Sequence, residues 1–330
     1  MKKDKILLPK RPSSTGSPWL WIGTWSMGGE GFGHHDERES LRTLWTAAEN
    51  NIRHFDTAGF YAHGKSEKLL QQIIKTEREE FFISSKGGLV WNGRRVEHQA
   101  SPEALIRQLH ESFDRLKTDY LDLYQLHWPD PKVPIGESID ALSDLKMKGL
   151  IRSWGVGNLT DYDLYQYLDG EKDIPHQVHF NPVHRNFNIL HAGDRQCINC
   201  IVSPLEQGLL ARDRARSDKD RSGKNDLRKR NPYFSDLKVL LWCKKFNELL
   251  NHHRVSKVSM ILMWICAQPH VHAVIPGPRK TSQMDELLRF RAEVEEYGLL
   301  ASVDEDSIIS RKKAAEVVPA DIWKLMSKGP

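Results

Sequence analysis

Cysteine is scarce in this chain: 330 residues contain four, Cys197, Cys200, Cys243 and Cys266. Cys197 and Cys200 have C-x-x-C spacing, but a structural zinc centre needs two further ligands at matching spacing and none is apparent. The thiols therefore read as buried or free, and no metal is expected. The neighbouring pairs His34-His35 and His252-His253 would not share a helix face, so they read as surface residues rather than ligands. Long apolar runs are also missing: none approaches the roughly 20 residues of a membrane span. The basic opening carries only Ile6, Leu7 and Leu8 before Pro9, short of the about 7–15 apolar residues of a secretory leader. A reduced, cytoplasmic protein with no membrane partner is expected. No sign of charge dominates either. With 48 Lys and Arg against 44 Asp and Glu the formal charge is +4, too small to imply a nucleic-acid partner. A Rossmann fingerprint is absent as well: in the glycine cluster at 28–33, the third glycine of a G-x-G-x-x-G begun at Gly29 would fall on His34.

What is present is organised around residues 55–67, Phe-Asp-Thr-Ala-Gly-Phe-Tyr-Ala-His-Gly-Lys-Ser-Glu. The apolar lead-in (Ile52, Phe55) reads as a strand, and Leu69, Leu70, Ile73 and Ile74 mark the helix that follows. Gly64 permits a sharp turn, Ser66 can cap the helix, and Glu67 suits its positive N-terminus. Two chemistries compete here. Gly59 through Ser66 satisfies G-x-x-x-x-G-K-[ST], a loop that holds nucleotide phosphates. The other reading makes Asp56 and Tyr61 titratable groups at the mouth of a barrel.

The rest of the chain favours the barrel. Strands are expected over 19–25, 52–56, 81–86, 120–127, 151–156, 177–180, 198–203 and 272–275. Helices stand between them: one with a capping box at Asp36 and Glu39, one over 66–75, one begun by Ser101 and Pro102, others around 137–148, after Thr160, over 237–250 and 258–267, and a last one from about Arg279. Eight alternating units give a single α/β domain, a (β/α)8 TIM barrel over 19–290. Residues 1–18 form an N-terminal segment, and 291–330 a C-terminal loop and helix. The stretch 211–230 is a charged insertion after strand seven, read as a solvated loop or as a lid over an anionic ligand.

Parallel strands bring their C-terminal ends to one mouth. This gathers Asp56, Lys86 and His127, with Tyr61 on the adjoining loop. A tyrosine titrates near about 10. A neighbouring ammonium is expected to lower that, a carboxylate to hold the ammonium, and a histidine to donate to a carbonyl oxygen.

On these residues the chain resembles the aldo-keto reductases. The match takes in Gly23-Thr24-Trp25, the 56–67 stretch, Ser85-Lys86 and residues 119–130. It continues through Gly155-Val156-Gly157-Asn158, Gln177, Asn181-Pro182, Ser203-Pro204-Leu205 and Ile275-Pro276-Gly277. Residues 86–91 resemble most the bacterial subgroup related to inositol-utilisation and stress-response reductases. The resemblance implies NADPH-dependent reduction of a small-molecule aldehyde or ketone. Tyr61 would be the general acid, Lys86 and Asp56 would tune it, and His127 would orient the carbonyl. It places the cofactor against Thr24, Trp25, Asp56, Asn158, Gln177, Ser203, Pro204, Leu205, Gly208, Gly277, Arg279, Gln283 and Glu286. Arg279 with Lys280 suits a 2′-phosphate, hence NADPH over NADH. The substrate pocket would be lined by Trp25, Trp91, His127 and Trp128. Gly157, Val202 and Leu287 depart from the family pattern at cofactor positions. Two alternatives stand beside this reading: an NADPH-occupied regulatory or sensor protein with little turnover, and, remotely, a nucleotide hydrolase using Gly59–Ser66.

Overall fold

The computed structural model describes residues 19–29, 31–33, 35–168, 173–192, 197–211, 226–250, 253–302 and 305–330. The N-terminal segment and most of the charged insertion lie outside them. Among the described residues nine strands form one sheet. Eight are parallel and follow chain order: β1 (Ile22–Gly23), β2 (His54–Asp56), β3 (Phe82–Asn92), β5 (Leu121–Leu126), β6 (Ile151–Gly157), β7 (Ile174–His179), β8 (Cys197–Val202) and β9 (Val271–Ile275). The ring closes between the two ends of the series. Leu20 bridges Val274, Trp21 N donates to Val274 O (3.0 Å) and Gly23 N to Pro276 O (2.9 Å). The expected (β/α)8 barrel is the fold observed.

Helices α1 (Glu37–Glu49), α2 (Lys65–Ile74), α3 (Pro102–Leu116), α4 (Ile135–Met147), α5 (Asp161–Tyr167) and α6 (Phe187–Ala192) intervene between the strands. The chain then runs through α7 (Leu237–Leu249), α8 (Lys257–Cys266) and, after β9, α9 (Thr281–Glu296). The main apolar core lies between sheet and helices, where Leu44, Leu70, Leu109, Leu142, Ile261 and Phe290 are buried. A smaller cluster of Trp21, Leu123, Cys200, Ala273 and Ile275 fills the barrel interior. Two short helices, α10 (Arg311–Val317) and α11 (Ala320–Lys328), pack on α7 and α8, where Trp242 Nε1 donates to Leu325 O (3.1 Å).

Local expectations met the structure unevenly. Asp36 caps α1 through Arg38 N (2.9 Å), but Glu39 does not complete the box. Its carboxylate accepts instead from Thr281 N (2.8 Å) and Oγ1 (3.0 Å), which ties α1 to α9. Strand three does not stop at Lys86. It continues to Asn92, turns at Gly93-Arg94 and pairs antiparallel with β4 (Arg95–Gln99), a hairpin absent from the sequence expectation.

The turn after β2 is tight. Ala62 (φ 48°), His63 (φ 54°) and Gly64 (φ 83°) are successive left-handed residues, a costly run for two non-glycines. It brings Ala62 against Gly28, where an added Cβ would sit 2.3 Å from Ala62 Cβ and 2.8 Å from Ser66 Oγ. Gly28→Ala should therefore cost about 1–3 kcal/mol through overpacking. Adding Ala62→Gly should recover part of that loss in urea unfolding; equal loss with and without the second change would show that the clash is absorbed elsewhere.

Candidate active site

The ends of β2 and β3 are in register, Asp56 beside Ser84, so Lys86 projects from the next inward position toward Asp56. The Lys86 ammonium uses three donors: Asp56 Oδ2 (2.6 Å), Thr57 O (2.9 Å) and Tyr61 Oη (3.2 Å). Asp56 and Lys86 are 3% and 4% exposed, so this is a buried ion pair. Burial pulls the lysine toward its neutral form, but the charges of Asp56 and Tyr61 and their hydrogen bonds outweigh it, and the Lys86 pKa is raised. Tyr61 departs from the expectation drawn from charge alone. Burial raises its pKa and Asp56 adds to the rise, while Lys86 opposes without prevailing. Tyr61 is thus held as a protonated phenol at neutral pH.

The His127 ring lies 5.6 Å from the Tyr61 ring, at 77°. Burial, then Lys86 and His98, hold its pKa well below the ordinary histidine value, so it is neutral. Its Nδ1 is sealed from solvent without a hydrogen-bond partner. A sealed N–H without an acceptor is worse than a bare lone pair, which assigns the proton to Nε2. The four residues expected at the mouth are therefore brought together.

Aromatic side chains wall this site. Trp25 tilts over Tyr61 (6.3 Å) and meets Phe32 edge-on (4.9 Å). Trp91 stacks on Phe60 (4.7 Å, 7°) and His63 (5.0 Å), and its Nε1 donates to Phe60 O (2.9 Å). The hairpin thus carries Trp91 onto the loop of Tyr61. Trp128, 43% exposed, stands outside this cluster with its ring toward His98 (6.5 Å) of β4.

From Asp56 and Tyr61 a groove runs along the barrel rim, and Lys86 and His127 do not line it. It is lined by Trp25, Asp56 and Tyr61, by Val202, Ser203, Pro204, Leu205 and Gly208, and by Gly277, Arg279, Gln283 and Glu286 at the far end. Leu287 also lines it. Asn158 and Gln177 are not among the groove's lining residues but border the tetrad: Asn158 Nδ2 donates to His127 O (2.8 Å) and Gln177 Nε2 to Asp56 Oδ1 (2.6 Å). Thr24 does not line the groove. It is fully buried, its N and Oγ1 both donate to Asp56 O (2.9 and 3.1 Å), and it pins the β1 loop to β2.

The groove also uses residues that sequence reading passed over. Phe32 and Ser26 line it, and Ser26 Oγ joins its two walls through Gly277 O (3.1 Å). Arg228, at the end of the charged insertion, is buried there and paired with Asp226 (Nε–Oδ1 2.9 Å). The loop after β8 turns through left-handed Ser203, Glu206, Gln207 and Gly208. Glu206 holds it in place, accepting from Asn181 (2.7 Å) and Asn231 (2.7 Å) and pairing with His179 (2.7 Å). Burial would raise the Glu206 pKa, but His179 and the two amides outweigh it and the net direction is down.

The phosphate-loop pattern has a different cause. A Cβ at Gly59 would lie 2.4 Å from the Arg115 guanidinium, and one at Gly64 2.4 Å from Arg115 Cδ. Arg115 crosses this loop to reach Glu67 (2.5 Å), a carboxylate that is 0% exposed and also accepts from Ser85 Oγ (2.7 Å). Lys65 is exposed, and Ser66 does not cap α2 but donates inward to Thr24 O (3.1 Å). Asp122, near the opposite end of the barrel, is held by Arg78 and Arg152 (2.8 Å each). The glycines make room for an arginine, and the nucleotide-hydrolase reading is not supported. Arg115→Met should strand the buried Glu67 charge and cost about 3 kcal/mol. In that background Glu67→Gln should restore most of the loss in urea unfolding, and no recovery would mean that the arginine acts through packing.

Residues 20–301 match the family model described as "Aldo/keto reductase family". The chain is 29% identical over 279 residues to the aldo-keto reductase YhdN of Bacillus subtilis, covering 81% of this chain and 83% of that one. It is 29% identical over 290 residues to the NADH-specific methylglyoxal reductase of Escherichia coli, covering 81% and 87%. Among solved structures, the glycerol dehydrogenase AKR11B4 of Gluconobacter oxydans superposes with a TM-score of 0.71 at 26% identity, over 90% of this chain and 95% of that one. With the barrel, the buried tetrad and the rim groove in place, the chain belongs to the aldo/keto reductase family and is an NAD(P)H-dependent oxidoreductase.

Proposed function

We propose that the protein reduces a small aldehyde or ketone with NADPH, using Tyr61 as the acid. The observation that carries this is the buried Asp56–Lys86–Tyr61 chain beside a neutral His127. The groove fits a nicotinamide dinucleotide. It begins at the tetrad, where such a group would meet Trp25 and Asp56, and it passes the tight Ser203–Gly208 turn. It ends at Arg279, whose guanidinium suits phosphate oxygens, with the Asp226-paired Arg228 beside it. Gln283, whose Oε1 accepts from Arg279 N (2.8 Å), fixes that corner. Asn158 and Gln177 would hold the carboxamide. NADPH, when bound, supplies the hydride.

The chain's own residues do the rest. His127 Nε2–H donates to the substrate carbonyl oxygen and orients it, and Tyr61 Oη gives that oxygen its proton. Lys86 stabilises the phenolate left behind, and Asp56 keeps Lys86 charged and aimed. Trp25, Phe60 and Trp91 exclude water and favour a small, partly apolar carbonyl. Methylglyoxal, named in the Escherichia coli relative, is a suitable first substrate. Since NADH serves that relative, the choice of NADPH here rests on Arg279. Among the described residues no helix is long and apolar enough to cross a membrane. We place the protein in the cytoplasm, where its four free cysteines would stay reduced.

Tyr61→Phe should lower kcat by about 100-fold or more while NADPH still binds, as followed by tryptophan fluorescence. Because the Tyr61 pKa is raised, wild-type reduction should be flat through neutral pH and decline only when the phenol ionises in strong alkali; alcohol oxidation, which needs the phenolate, should rise with pH. Turnover of Tyr61→Phe at the wild-type rate would remove the tyrosine from this role. Arg279→Ala should weaken NADPH binding by about tenfold and NADH binding far less, closing the preference between them. Equal loss for both cofactors would assign Arg279 to something other than the 2′-phosphate.

A further inference from the structure

Behind the tetrad, the barrel interior holds a polar chain that this mechanism leaves unused. Asp56 spends Oδ2 on Lys86, while Oδ1 accepts from Ser84 Oγ (3.0 Å) as well as Gln177. Ser84 Oγ is in turn 2.8 Å from Gln125 Nε2. Ser84 and Gln125 are 0% and 1% exposed. Strand register builds the chain: Ser84 is the partner of Asp56 across β2 and β3, and Gln125 is the partner of Lys86 across β3 and β5.

The direction of each bond follows from counting protons. An ionised carboxylate only accepts. The single Ser84 hydroxyl proton therefore goes to Asp56, leaving Oγ to accept from Gln125. That fixes the Gln125 amide with Nε2 toward Ser84, and turns Oε1 away, where it is buried without a partner. An orphaned acceptor is unfavourable and would be relieved by an apolar side chain of similar size, so the amide is out of place as mere filling. It makes sense as the group that orients the Ser84 hydroxyl. By the same rule Gln177 must present Nε2 to Asp56, leaving its Oε1 as the acceptor for a carboxamide.

We propose that Ser84 and Gln125 are positioning residues for carbonyl reduction: Gln125 locks the Ser84 hydroxyl onto Asp56 Oδ1, which holds Oδ2 on Lys86 and Lys86 on Tyr61. The inference rests on the reading of Tyr61 as the acid. Neither residue touches substrate or cofactor in this account. The titratable groups facing Asp56 are Lys86 of β3, Tyr61 of the loop after β2 and Cys200 of β8, with His127 across from Lys86.

The test is a double-mutant cycle with Ser84→Ala and Gln125→Met in the full-length protein, using NADPH and methylglyoxal. Each single change should lower kcat by about tenfold and leave KM and NADPH affinity within about twofold. Each should also shift the alkaline decline of the rate to higher pH, because a carboxylate whose Ser84 donor is lost or no longer held in place is a stronger negative charge beside Tyr61. Since Gln125 acts only through Ser84, Gln125→Met should have no further effect once Ser84 is alanine. Unchanged kcat and pH profile in folded single variants would overturn the proposal, as would losses that multiply in the double variant. The 13Cζ resonance of Tyr61, assigned with Tyr61→Phe, gives the same cycle without turnover: it should move in both single variants and show no added change in the double. A wild-type protein that binds NADPH but reduces no carbonyl contradicts the proposed reaction, while the NMR cycle still decides the role of Ser84 and Gln125.

Discussion

The Asp56–Lys86 ion pair constrains everything at the mouth of this barrel. Two charges taken out of water are tolerated only when their remaining hydrogen-bonding capacity is met. Asp56 meets it with Ser84 and Gln177, and Lys86 with the Thr57 carbonyl and the Tyr61 hydroxyl. The partners come from the neighbouring strand β3, from the loop after β2 and, through Gln177, from β7 across the barrel, so the pair joins sequence-distant parts of the sheet. In return, the tyrosine is fixed beside a permanent cation while burial keeps its proton on. The same low-dielectric setting that makes Tyr61 a reluctant anion makes the adjacent ammonium effective when negative charge does develop.

Around that pair the chain spends conformational strain to bring Tyr61 into place. The left-handed run of Ala62, His63 and Gly64 is clamped from outside by Arg115 and Glu67 and from below by Gly28 and Ser66. A second set of left-handed residues, Ser203 and Glu206 to Gly208, shapes the groove and is clamped by the buried Glu206. Both turns are held by a carboxylate with 0% exposure, Glu67 for the first and Glu206 for the second. The β3–β4 hairpin then adds Trp91 as a wall.

The architecture and the tetrad were legible because a parallel barrel converts sequence order into spatial convergence: residues ending successive strands must meet. Asp56 and His127 needed no more than that, Lys86 stands just before β3 leaves its parallel neighbours for the hairpin, and Tyr61 came with its loop. What escaped depended on partners distant in sequence or on burial. Arg115 lies on α3, and nothing in the Gly59–Ser66 stretch announces that its glycines yield to an arginine. Arg228 is one basic residue among many in its insertion, so its place in the groove could not be singled out. Thr24 carries a motif position, yet its polar groups are consumed by Asp56 O. The acidity of Tyr61 was argued from charge alone, and the burial that outweighs Lys86 is invisible without the folded surroundings.

The central claim is that this site joins a nicotinamide hydride to a carbonyl carbon while Tyr61 protonates the oxygen. Its most direct test is to reduce methylglyoxal, and then a panel of small carbonyl compounds, with NADPH deuterated at the transferable C4 position. The product is read by mass spectrometry and NMR. The account requires one deuterium per product molecule, on the former carbonyl carbon, together with a slower rate where transfer is limiting. Product formed without label at that carbon, or no product from any carbonyl under conditions where NADPH binds, would contradict it.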